Sequence, residues 1–272
     1  MKLKQLSVLL AVTSLIGLLV GCDSNNKPEQ LSRSESSTQQ QPEQVLPYLD
    51  VQQQPLLEGL PACEKKACVD FSIQTLHTQD VWLNDWIAQR LANVIALQVG
   101  QNNPVNLSQS LISYAEKSQE WQKEFDQNQP FKLSIQSKIA AQRNQYVLLQ
   151  LAVDSQQGDT HVTQRQYFNV ADRKLKRSIN LIEIVKQQQI KQLDQWVQKE
   201  YNAWLKKQNK VARASSEKHL DWKNADWFFD HEGIGLHYRM NQIAIDANPL
   251  DIYLTRKQTQ DILKDDIFQA MF

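Results

Sequence analysis

The chain has 272 residues, with 30 Lys and Arg against 30 Asp and Glu, so its formal net charge is zero. No long basic block or basic-aromatic stripe interrupts that balance, which argues against nucleic acid as a partner. Only 7 glycines are present, and Gly233-Ile-Gly235 reads as a turn, not as a phosphate-cradling loop.

The N-terminus is the most informative stretch. Met1-Lys2-Leu3-Lys4 is a short basic segment, and from Leu6 to Val20 the chain is almost wholly apolar. This is the charge-then-apolar order of an export signal, and it is shorter than the roughly 20 apolar residues that a spanning helix needs. Its end, Leu19-Val20-Gly21-Cys22, resembles the lipobox of bacterial lipoproteins. The resemblance implies cleavage after residue 21 and a lipid on Cys22, which would hold the domain on a membrane outside the cytoplasm. With about 0.8 kcal/mol per buried CH₂, more than one acyl chain makes such an anchor effectively permanent. Asp23 resembles the inner-membrane retention signal of enteric bacteria, and other bacteria weight this position differently, so either membrane stays open.

Residues 22–56 follow as a tether. Ser34-Glu-Ser-Ser-Thr-Gln-Gln-Gln-Gln-Pro42 has too few apolar side chains to offset its ordering entropy. The folded domain is expected over 57–272, with a division into two subdomains, 57–140 and 141–272, left open. Near its start stand Cys63 and Cys68. An even pair in an oxidising compartment suggests a local disulfide, which would stabilise by about 2 kcal/mol if the geometry allows; free thiols are the alternative. The Pro-preceded turn lacks the C-x-x-C context of a redox site.

Alternation of Val69, Phe71 and Ile73 predicts a first strand. The period then changes, and Trp82, Leu83, Trp86, Ile87, Leu91, Val94 and Ile95 share one stripe of a helix over about 81–98. Leu107, Leu111, Tyr114, Trp121 and Phe125 predict a second helix over 107–126. Strands follow at Phe131–Ile135, at Val147–Val153 and at His161–Val170, with Gln156-Gln-Gly-Asp159 as a turn between the last two. After a turn at 171–174 and an apolar run at Ile179, Leu181 and Ile184, a third helix is predicted over 188–207. Trp227–Phe229, the turn Asp230–Gly233, a strand through Leu236 and Tyr238 and another at 251–254 lead to a last helix over 256–269, with Thr255 and Gln258 as its capping box. Helices and hairpins without βαβ alternation predict an α+β fold in which antiparallel hairpins pack against several helices.

No catalytic constellation emerges. The histidines give no His-x-x-x-His pair; His231 and His237 flank a glycine turn with Asp226 and Asp230, but a third good ligand is not evident. There is no G-x-S-x-G elbow, and acidic pairs such as Asp265-Asp266 are ordinary surface features. No catalytic residue, metal or cofactor is expected.

Phe228-Phe-Asp-His-Glu-Gly-Ile-Gly-Leu-His-Tyr238, then Asn241-Gln-Ile-Ala244, Pro249 and Ile252-Tyr-Leu254 before a final helix, resemble the DUF3298 family. Upstream, Val147 to Val153, Gly158-Asp-Thr-His161, Tyr167 to Leu175 and Ile179-Asn-Leu181 resemble its earlier strand, turn and hairpin, although only Gly158 and His161 match the family's turn. DUF3298 includes the extracellular domain of RsiV-type anti-sigma factors, which binds lysozyme, and a domain found beside peptidoglycan deacetylases. The resemblance therefore implies an envelope lipoprotein whose non-catalytic domain binds a periplasmic protein or peptidoglycan-related ligand, lysozyme-like enzymes among them. The alternative is an envelope-maintenance or assembly role; a wall hydrolase or deacetylase is the less favoured third. Candidate contact residues are Gly158, His161, Trp222, Trp227, His231 and Tyr238, against the simpler reading that Trp227 and Tyr238 line the core.

Overall fold

The apolar stripe that starts at Trp82 becomes α1, Val81–Leu97, with Leu83, Trp86, Ile87, Leu91, Val94 and Ile95 buried. Asp80 caps it by accepting from the Leu83 amide at 3.2 Å, one of the amides a helix start leaves unpaired. The second helix, α2, spans Leu107–Glu124 and buries Leu111, Tyr114 and Ala115. The computed structural model describes residues 46–62, 68–124 and 131–272, with the backbone alone at 163 and 164, all within one unit, Gln44–Phe272. The expected signal segment 1–21, Cys22, Cys63 and Phe125 lie outside the described residues. Cys68 is half-buried and is not a free thiol.

Both helices cover one face of a six-stranded sheet in which strand order follows chain order: β1 (Gln52–Pro55), β2 (Asp70–His77), β3 (Lys132–Arg143), β4 (Tyr146–Gln157), β5 (Thr160–Asp172) and β6 (Arg177–Ser178). Neighbours are antiparallel except β2 and β3, which the α1–α2 crossover makes parallel. Asn144, at φ 47°, and Gly158, at φ 59°, supply the left-handed positions of the two long hairpin turns. β1 corrects the expected start of the domain: Gln52–Pro55 is paired to β2, so backbone pairing orders a segment whose composition reads as tether up to 56.

One polar clamp fixes the N-terminal part of the described chain. Arg173, at the end of β5, pairs through Nε with Asp80 at 2.8 Å and donates through Nη2 to the carbonyl of Pro47 at 2.6 Å. Leu49 is buried in the same core as α1.

A second layer follows. α3 (Leu181–Ile184), α4 (Ile190–Leu205) and α5 (Lys210–Ser215) precede a three-stranded antiparallel sheet of β7 (Asp226–Phe229), β8 (Ile234–Tyr238) and β9 (Leu250–Leu254). Where one terminal helix is predicted over 256–269, there are two: α6 (Arg256–Ile262) and α7 (Asp265–Met271). Leu263 between them is extended and bridges Val185, and the amides of Lys186 and Lys264 donate to the carbonyls of Ile262 and Ile184. Strand-like pairing to the end of α3 therefore replaces a helical turn.

The architecture is α+β, as predicted. The proposed division at 140/141 falls inside β3. The change of core occurs across the thickness of β4, where Val147, Leu149, Leu151 and Val153 face the α1–α2 core and Tyr146 and Leu148 join the core of the second layer. Because the second layer rests on one end of the large sheet, the rest of that face is left open.

Candidate functional site: an open sheet face and its aromatic seam

Strand period and register define the open face. Opposite the buried Leu133, Ile135 and Ser137 of β3 stand Lys132, Ser134, Gln136 and Lys138. Across from them the register brings Gln156, Asp154, Ala152 and Gln150 of β4, with Asp70, Ser72 and Gln74 of β2 on the other side. β5 adds His161 beside Gln156, Gln166 beside Ala152 and Phe168 beside Gln150. Over the middle of this surface Gln53, Gln136, Lys138, Gln150, Ala152 and Gln166 line a groove of about 310 Å³. Gln150 donates to Gln166 at 2.7 Å, and Gln53 donates to the carbonyl of Ser137 at 3.3 Å. Lys132 and Lys138 are offset by Asp70 and Asp154, so the face carries no single-sign field.

Where the open face meets the small sheet there is a seam of rings. Phe168 lies 4.9 Å from Phe228, and Phe228 lies 6.2 Å from Tyr253. Phe228 covers Gly235: a Cβ there would stand 2.0 Å from the ring tip, so the missing side chain makes room for the aromatic. The Tyr253 hydroxyl donates to Asp230, which also caps the amides of Glu232 and Gly233 in the β7–β8 turn. Burial pushes the Asp230 carboxyl up, but the Tyr253 hydroxyl and those amides outweigh it and hold the group below the usual aspartate range. Tyr253 is raised in turn, by burial first and then by Asp230.

Beside the rings, register aligns Asp226, His237 and Asp251 in a row across β7, β8 and β9. His237 Nδ1 is 2.6 Å from Asp251, while its Nε2 is buried without a hydrogen-bond partner among the described residues. The imidazole stands edge-on to Phe168 at 5.2 Å. Asp226 accepts from the Phe168 amide and pairs at 2.5 Å with Arg239, whose guanidinium stacks on Tyr167. Burial pushes the Asp226 carboxyl up, against the pull of Arg239, the Phe168 amide and His237. These contacts stitch the small sheet to β5.

The six candidate contact residues separate. Trp222, Trp227 and Tyr238 are 3%, 6% and 1% exposed, so none is a surface anchor. Trp227 Nε1 donates to the carbonyl of Ile179 and the Tyr238 hydroxyl to that of Asp221, which satisfies their polar ends inside the core. Trp227 and Tyr238 follow the simpler reading and line the core, which they share with Trp222 and with Leu193, Val197 and Tyr201 of α4. Gly158 is a buried turn residue whose left-handed φ is its structural contribution. His161 is exposed and belongs to the open face; His231 is exposed in a turn of the other sheet. The two histidine loops therefore belong to different sheets.

The groove glutamines were missed from sequence; the polar phase of β3, β4 and β5 is the signal that could have found Gln136, Gln150 and Gln166, whereas Gln53 lies on β1, which has no apolar phase. Among the described residues, no group of three or more His, Cys, Asp or Glu is placed to hold a metal ion. A second, wider cleft of about 830 Å³ between α4 and the terminal helices is floored by Trp196 and bordered by the Lys186–Asp265 pair at 2.8 Å.

No protein-family model matches the chain, and no curated protein matches it. Solved structures do match, two DUF3298 proteins among them. A DUF3298 family protein of Pseudomonas aeruginosa PAO1 is 16% identical, with a TM-score of 0.53 over 83% of this chain and 97% of that one. A DUF3298 member from Bacteroides fragilis NCTC 9343 is 15% identical, with a TM-score of 0.55 over 82% of this chain and 97% of that one. At these identities the likeness is one of fold, and the chain has the fold of DUF3298 proteins.

Proposed function

We propose that this protein is an exported, lipid-anchored binding module of the bacterial cell envelope, tethered through Cys22, and that the open face of its large sheet is the contact surface. The observation that carries this reading is the uncovered amide- and hydroxyl-bearing face itself, with the groove among Gln53, Gln136, Gln150 and Gln166. A sheet face left open by its own second layer presents many hydrogen-bonding groups at small conformational cost, because the strands hold the side chains in fixed rows. A tether keeps such a surface at high effective concentration near its target, so modest intrinsic affinity suffices. The leader before Cys22 supports export, and a Cys63–Cys68 bridge would suit the compartment beyond the membrane.

The partner is a periplasmic protein or a wall-derived ligand, a lysozyme-like enzyme among the first to test. The near-neutral face favours recognition by hydrogen bonding and shape over long-range charge steering. The test is photocrosslinking in cells from position 136 on the open face, with position 116 on the outer side of α2 as the comparison. A discrete product from 136 alone supports the reading, and identical patterns from both positions defeat it. Metabolic labelling with palmitate checks the anchor: label should enter the wild-type chain and be lost in Cys22→Ser.

A further inference from the structure

The open face has a narrower chemistry than a general docking surface. Gln53, Gln136, Gln150 and Gln166 surround one groove together with Lys138, and each carboxamide offers two donors and an acceptor without charge. The Gln150–Gln166 and Gln53–Ser137 hydrogen bonds hold three of these side chains in place, so the groove is preorganised in part. At about 310 Å³ it lies at the low end of the roughly 300–1,000 Å³ of small-ligand sites. That volume suits a segment of an extended ligand.

Beyond the groove, on β5, the same face turns aromatic. Phe168 is the register partner of Gln150 and shares its face, and Phe228 and Tyr253 continue from it as a ladder of rings. Tyr253, 39% exposed, brings the ladder to the surface. Lys138 in the groove adds ammonium donors that a sugar oxygen can accept, while Asp70 and Asp154 stand further along the face, beside Lys132 and Ser134. A protein anchor of the usual kind needs a deep apolar pocket, and the groove is floored by amides. Pyranose rings satisfy both halves of the surface: their edges carry neutral donors and acceptors, and their C–H faces stack on aromatic rings.

Resting on the reading of this face as the binding surface, we infer that its ligand is an oligosaccharide bearing acetamido groups. The chain of sugars would lie across β3, β4 and β5, with its amides paired to the glutamines and one ring against the Phe168–Phe228–Tyr253 ladder. An acetamido group holds its donor and its acceptor in one rigid plane at a fixed separation, which suits fixed rows of carboxamides better than the freely rotating hydroxyls of a plain glucan do.

The test uses the full chain purified in detergent, titrated by calorimetry with chitohexaose and, separately, with maltohexaose. Saturable binding of chitohexaose, about 10-fold or more tighter than that of maltohexaose, is expected, the equivalent of about 1.4 kcal/mol. Gln136→Ala and Gln166→Ala together should weaken it by a further 10-fold or more with the circular dichroism spectrum and melting temperature unchanged. Tyr253→Ala tests the ladder and should weaken binding of chitohexaose without altering the response to the glutamine changes. Binding of chitohexaose that the double glutamine variant leaves intact overturns the assignment to this face. No binding of either oligosaccharide, with crosslinks to a protein still formed from position 136, overturns the glycan inference and leaves the binding-module reading standing. Absence of both overturns the two together.

Discussion

Two glycines of one β-hairpin differ sharply in what surrounds them. A Cβ on Gly233 would stand 2.1 Å from the backbone carbonyl oxygen of Leu254 and 2.8 Å from the hydroxyl of Thr259, whereas on Gly235 it meets only the Phe228 ring. Backbone cannot swing aside as a ring can. Gly233→Ala should therefore destabilise at the upper end of the about 1–3 kcal/mol typical of overpacking, and Gly235→Ala at the lower end, as read by urea denaturation. The neighbouring Tyr253–Asp230 bond gives a pH signature. Asp230 is held low, so its contribution is present above the unfolded aspartate value and is lost as pH falls through the folded one. Tyr253 is held high, so its contribution is present below the unfolded tyrosine value and is lost as pH rises through the folded one. Ultraviolet titration should show Tyr253 ionising later than an ordinary tyrosine, and Asp230→Asn should bring it earlier.

Elements were legible where a single local period governs them. α1 and α2 carry their stripes in consecutive turns, and β4 alternates cleanly at Val147, Leu149, Leu151 and Val153. The break between α6 and α7 was not legible, because it depends on Leu263 pairing with Val185, a partner distant in sequence. β1 was missed for the same reason: Gln52-Gln53-Gln54-Pro55 has no apolar phase, and its order comes from backbone pairing with β2. The clamp that joins these elements was invisible as well. Arg173 and Asp80 are almost fully withdrawn from solvent, and removing one partner strands the other charge. Arg173→Ala should lower stability by about 3–5 kcal/mol in chemical denaturation. It should also raise hydrogen exchange over residues 46–55 more than over α4.

At the scale of the whole molecule, one sheet serves two cores. Leu149 faces α1 and α2, and Leu148, its neighbour in the chain, faces the second layer. Each is buried, so Leu148→Ala and Leu149→Ala should each cost about 2–5 kcal/mol. Since the strands are shared, unfolding followed by tryptophan fluorescence and by far-ultraviolet circular dichroism should coincide in a single transition. The candidate site was half legible on this scale. His161 was found from a turn and does belong to the open face, but Trp222, also offered as a contact residue, is buried just ahead of β7, and Trp227 and Tyr238 follow the simpler reading and line the core. The glutamines of β3, β4 and β5 become one site only when three strands lie side by side.

The Arg173 clamp also sets how the protein bears load. A pull on the chain upstream of residue 46 reaches Pro47, and through it Arg173 and the start of α1, before it reaches the ladder between β1 and β2. Tension applied at that end is thereby diverted into the interior of the domain, and a short edge strand that would otherwise peel away one hydrogen bond at a time is shielded from it.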